Sequence, residues 1–125
     1  MSQGIIIFAH GSKDELWRQP VEAVAASVQS ASPTTMVRCA YLEWTQPNLA
    51  SALRELVELG TTSVRILPMF LGIGKHLRED LPVLIEDLIK KFPQIQVHVL
   101  PSVGENTDVI SKLARIALGA EAIDD

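Results

Sequence analysis

Two histidines occupy comparable places in the chain. His10 follows the apolar run Ile5-Ile6-Ile7-Phe8-Ala9 and precedes Gly11 and Ser12, while His76 closes the stretch Ile66-Leu67-Pro68-Met69-Phe70-Leu71-Gly72-Ile73-Gly74-Lys75. Glycine near each lets backbone approach a ligand, and the carboxyl ends of strands are where open α/β sheets place their ligands. If the two strands are parallel neighbours, both imidazoles overhang one crevice, an arrangement suited to a borderline divalent ion. A lone histidine would read as a polar strand terminus or helix cap; two at matching strand ends favour a functional reading. Glu43, ending another strand-like run, offers a carboxylate ligand or proton acceptor, and equally fits a surface acid beside Trp44.

These side chains need a scaffold, and the hydropathy pattern supplies one. Gly4 to Ala9 and Val64 to Leu67 are near-continuous apolar runs, as expected of central parallel strands covered on both faces. Val37 to Leu42 and Ile95 to Leu100 carry more polar residues and read as edges. Helical periodicity separates them: Val21, Val24, Ala25 and Val28; Leu49, Leu53, Leu56 and Val57; Leu81, Leu84, Ile85 and Leu88; then Val109, Ile110, Leu113 and Ile116. Thr45 and Pro47 are expected to open the second helix, Gly60 to close it, Pro93 to end the third and Gly119 to follow the fourth. Pro82 falls inside the third pattern, so either Lys75 to Asp80 is a separate turn or the helix kinks there. Right-handed crossovers then predict an α/β fold: one domain over residues 1–125, with a four-stranded parallel sheet in the order 2-1-3-4 flanked by helices, a flavodoxin-like half unit.

Composition narrows the classes. The 125 residues carry a formal charge of −4 with scattered acids, which argues against a nucleic-acid surface. A single cysteine, Cys39, permits no intrachain disulfide, and neither an export signal nor a membrane span is apparent, so a cytoplasmic location is expected. Cys39 reads as a small strand residue, and His98, alternating with Val97 and Val99, as a side chain on one sheet face.

Other chemistries fit less well. Met69 to His76 aligns with a P-loop, but Met69 replaces its first glycine and His76 its Mg²⁺-binding hydroxyl. Ser12 lacks the Gly-x-Ser-x-Gly setting of a hydrolase nucleophile and reads as a turn or capping residue. A flavodoxin-like signalling module would need a cluster of acids that the sequence does not show.

The chain resembles the small, single-domain CbiX/SirB-type sirohydrochlorin chelatases over nearly its whole length. The likeness is carried by Phe8-Ala9-His10-Gly11-Ser12, by Ala40-Tyr41-Leu42-Glu43 with Pro47 and Leu49, and by Leu67 to His76 running on to Asp80-Leu81-Pro82. The resemblance implies insertion of Co²⁺, Fe²⁺ or Ni²⁺ into a sirohydrochlorin-type tetrapyrrole, cobalt being favoured, in cobalamin or siroheme biosynthesis. It implies that His10 and His76 bind the metal and are catalytic; Glu43 is a further catalytic candidate on its own chemistry and position, not on the resemblance. The metal is then a substrate, and no permanently bound cofactor is expected. Ser12, Met69, Phe70, Leu71, Gly72, Ile73, Gly74 and Lys75 are expected to line the macrocycle site, and Lys13, Arg18, Lys75 and Arg78 to lie near its carboxylates. Longer relatives join two such units, so a homodimer is the expected assembly. The competing reading is a non-enzymatic metal or tetrapyrrole carrier on the same fold.

Overall fold

The computed structural model describes residues 3–119. Four strands, β1 (Gln3–Ala9), β2 (Met36–Tyr41), β3 (Ser63–Pro68) and β4 (Gln96–Val99), alternate with four helices, α1 (Gln19–Ala31), α2 (Leu49–Glu58), α3 (Lys75–Lys91) and α4 (Thr107–Leu118). The sheet is wholly parallel and ordered β2-β1-β3-β4, as the strand pattern predicts. Ala9 lies opposite Tyr41 and Phe8 opposite Pro68, so the loops leaving β1, β2 and β3 emerge together along one edge. This shared edge is what gathers residues distant in sequence.

Alternation along β1 divides the core. Ile6 and Phe8 face α2 and α3, where Leu49, Leu53, Leu56 and Leu88 close over them, while Ile7 and Ala9 face Val21 and its neighbours on α1. Complete burial of Leu53 and Leu56 stabilises the fold by about 1.5–3 kcal/mol each. Arg65 and His98 are register partners on β3 and β4, beyond the cover of α1, and both are exposed. Among the described residues no helix is long and apolar enough to cross a membrane.

One local expectation is corrected, and of the two readings of Pro82 the separate turn is removed. Helix α2 begins at Leu49, and its cap is Asn48, whose side chain accepts the Ser51 N–H; Thr45 lies in the preceding loop and Pro47 follows a cis peptide bond. Helix α3 runs unbroken from Lys75 through Pro82 to Lys91. Pro82 has no N–H, so the carbonyl four residues earlier, at Arg78, loses its helical partner; both residues are exposed. Helix α4 packs chiefly on the short 3₁₀ turn Val103–Glu105 before it and leaves Ile110, Leu113, Ile116 and Leu118 exposed.

Buried Tyr41, the only tyrosine, gives the core a pH signature. Burial, aided by neighbouring Cys39, pushes its phenol up to about 12. Unfolded tyrosine titrates near pH ~10, so the stabilisation linked to this group is complete below that value and is lost as pH rises toward about 12. Tyrosinate absorbance of the folded protein is therefore expected to appear only on approach to pH 12, and near 10 in denaturant; equal midpoints in the two conditions would contradict the burial. Burial also raises the Cys39 thiol, which accords with a structural residue and not a nucleophile.

Candidate active site

The loops after β1 and β2 are fastened to each other by consecutive contacts. The His10 carbonyl accepts the N–H groups of Leu42 and Glu43, at 3.1 and 3.0 Å. Beside these bonds, His10 Nε2 lies 2.8 Å from Glu43 Oε1, with both side chains about half exposed. Two residues further, the buried Thr45 hydroxyl accepts the Ser12 N–H at 3.1 Å and donates to the Ser12 carbonyl at 2.8 Å. Last, Lys13 Nζ sits 4.3 Å from the centre of the Trp44 ring.

Gly11 makes this close approach possible. Its φ of 101° lies in the left-handed region, and a Cβ built there would fall 1.8 Å from the Glu43 carbonyl oxygen. The partner loop is also constrained: the Thr45 N–H donates to the Glu43 carbonyl at 2.8 Å, closing a three-residue turn around Trp44, whose φ is 68°. A bulky residue there is strained, and the Ser12–Thr45 bonds hold it. Ser12 is thus a turn residue, and its own hydroxyl accepts the Asp14 N–H.

The loop after β3 lies alongside. The Met69 N–H donates to the Phe8 carbonyl at 2.7 Å, and the buried Ser102 hydroxyl donates to the Phe70 carbonyl, which also accepts the Gly104 N–H at 3.0 Å. Gly104 is packed so closely that an added Cβ would meet the Leu71 carbonyl oxygen at 1.7 Å. His76 is exposed in the first turn of α3.

The expected macrocycle wall is only partly on the surface. Phe70 is 8% exposed and stacks edge-on against Phe8, with centroids 5.8 Å apart, so it belongs to the core and cannot line a cleft. Met69 and Ile73 are half-buried, whereas Leu71, Gly72, Gly74 and Lys75 are exposed. Of the flanking cations, Arg18 lies near Glu15 and Glu22, and Arg78 donates to the Ile73 carbonyl. Lys13 and Lys75 are the two left without a carboxylate or carbonyl partner among the described contacts.

The structure therefore joins His10 to Glu43 directly, with His76 on the neighbouring loop and helix. Among the described residues, no group of three or more His, Cys, Asp or Glu side chains is close enough to hold a metal ion. The pair can do two things: an imidazole held by a carboxylate offers its other nitrogen to a metal, or it relays a proton to the carboxylate. Reasoning from sequence missed Thr45 as the latch and Gly11 as the steric condition. The only signal for either was a glycine after His10 and a small hydroxyl residue two positions after Glu43.

A parallel four-stranded α/β domain with a histidine–carboxylate pair at its switch point is the class of protein defined here. The CbiX family profile matches residues 4–117, and the chain belongs to the CbiX family. A sirohydrochlorin cobaltochelatase of Sulfolobus acidocaldarius is 25% identical over 94% of both chains. That of Methanococcoides burtonii is 29% identical over 66% of this chain, and the match spans 63% of the relative's length. Among solved structures, a putative cobalamin (vitamin B12) biosynthesis CbiX protein from Marinobacter aquaeolei VT8 superposes with a TM-score of 0.82 at 26% identity, covering 93% of this chain and 94% of that one. The sirohydrochlorin chelatase SirB from Bacillus subtilis subspecies spizizenii, solved in complex with cobalt, shares the fold with a TM-score of 0.77 at 21% identity; the match covers 94% of this chain and 50% of SirB.

Proposed function

We propose that this protein inserts a divalent metal, Co²⁺ before Fe²⁺, into sirohydrochlorin. The observation that carries the reading is the 2.8 Å contact of His10 with Glu43, on loops latched together at the sheet's switch point, in a chain of the CbiX family. Insertion replaces two pyrrole N–H protons with one M²⁺, so the macrocycle releases two protons as it gains the ion. As the ion passes to the macrocycle, the freed His10 nitrogen takes up one of these protons, Glu43 stabilises the imidazolium that results, and the other proton leaves to water. The metal is held by His10 and Glu43 together with His76, exposed in the first turn of α3, and passes from them to the macrocycle. Too few protein ligands for a closed cage leave coordination positions open to the pyrrole nitrogens, and so allow release.

The same proposal includes a cytoplasmic setting, supported by the lone free thiol of Cys39, and a homodimer. The support for the dimer is not Phe70, whose side chain is buried, but the exposed apolar stripe of α4. A second support is an open groove of about 600 Å³ along α3, lined by Ile73, Leu77, Leu81, Ile85, Ile89 and Val99. A carrier reading shares the metal ligands and differs only in turnover.

Cobalt titration tests the ligand assignment. Co²⁺ is expected to develop visible d–d absorption that saturates at one ion per site, with affinity reduced about tenfold or more by His10→Ala and by His76→Ala. An unchanged titration in both variants would remove these histidines from the metal site.

A further inference from the structure

Trp44 is a large apolar residue 62% exposed, and it sits one position after the carboxylate that binds His10. Its indole is not a loose surface side chain, because the backbone beneath it is clamped. The residue has a φ of 68°, the Thr45–Glu43 bond closes its turn at 2.8 Å, and Thr45 is buried and bonded twice to Ser12. Strain of this kind, held in place by neighbours, concentrates at functional positions. The contacts His10–Glu43, Ser12–Thr45 and Lys13–Trp44 follow one another along the same two loops, so the ring lies next to the proposed metal site. Two further residues, Leu16 in the 3₁₀ turn Glu15–Arg18 after β1 and Leu71 in the loop after β3, are 68% and 71% exposed.

An exposed aromatic face capped by an ammonium matches a ligand that is flat and apolar in its plane and anionic at its rim. We propose that Trp44 is the stacking platform for the macrocycle and that Lys13, which covers the ring in the free protein, moves off it to pair with a peripheral carboxylate. The exchange conserves the cation's interactions: a cation–π contact is given up for a charge-assisted hydrogen bond, and the vacated ring face is covered by another π-system. Trp44 thereby fixes the plane of the substrate beside His10 and Glu43, and Lys13 selects for carboxylated rims. This rests on the tetrapyrrole reading above and adds residues to it.

The chain has two tryptophans, so in a Trp17→Phe background Trp44 is the sole indole reporter. Metal-free sirohydrochlorin is expected to quench its emission saturably. In otherwise wild-type protein, Trp44→Ala should raise the KM for sirohydrochlorin about tenfold while kcat changes less than about threefold, Trp44→Phe should restore most of the loss, and Co²⁺ affinity measured without macrocycle should not change. Lys13→Met should raise the same KM and weaken its dependence on ionic strength. A Trp44→Ala protein with wild-type KM overturns the inference while leaving the chelatase reading intact. Weaker Co²⁺ binding in Trp44→Ala also overturns it, since the ring would then be serving the loop's structure. If the wild-type protein neither binds nor metallates sirohydrochlorin, the functional reading itself fails.

Discussion

His10→Ala is expected to lower the rate of metal insertion by about 100-fold or more while leaving the folded structure in place. The side chain is half exposed and, among the described residues, its polar contact is with Glu43, itself half exposed, so its removal leaves no buried charge or cavity. Stability should change by less than about 1 kcal/mol, well within reach of thermal denaturation measurements. Glu43→Gln refines the result. Glutamine can still bond to the imidazole but cannot balance a positive charge on it, so the rate should fall about tenfold while the loop geometry persists. Full activity in His10→Ala, measured with spontaneous insertion subtracted, would show that the imidazole has no part in the chemistry.

Gly11→Ala is expected to damage both fold and activity, although only a methyl group is added. Two independent penalties coincide: a φ of 101° that L side chains rarely adopt, and a Cβ position 1.8 Å from the Glu43 carbonyl oxygen. The backbone strain alone is worth about 1–3 kcal/mol, and relief of the clash requires the loops after β1 and β2 to separate. That separation would break the Glu43 N–H bond to the His10 carbonyl and the Ser12–Thr45 latch. Thermal denaturation should show Tm lowered by about 5–15 °C, and insertion at a temperature where the variant is folded should still be slow. Gly72→Ala is the control, since an added Cβ there meets nothing within 4 Å. Equal stability of the Gly11 and Gly72 variants would contradict the close approach.

The strands were readable because burial on both faces leaves uninterrupted apolar runs at Gly4 to Ala9 and Val64 to Leu67, and parallel order follows from the helices between them. The position of His10 at a strand end was readable for the same reason. What escaped depends on partners far away in sequence. Gly11 is required by an oxygen of Glu43, which no local pattern announces. Thr45 with Pro47 satisfies the rules for a helix start, yet Asn48 takes the cap and Thr45 is spent on Ser12. Phe70 sits in a run that reads as an exposed loop, and only its edge-on contact with Phe8 shows it to be core. The amphipathic period of α4 correctly marked a helix, but periodicity states that an apolar face exists and not what covers it. Pro82 does not divide α3 into a separate turn and a helix, because its exposed position leaves the Arg78 carbonyl within reach of solvent, a tertiary property that periodicity does not carry.

The most direct measurement is the number of metallated macrocycles formed per protein chain. With sirohydrochlorin and Co²⁺ both in large excess over protein, and the rate without protein subtracted, visible absorption of the product should keep rising linearly well past one equivalent per chain. A release that stops at one equivalent, with no further product on longer incubation, would contradict catalysis and identify a carrier.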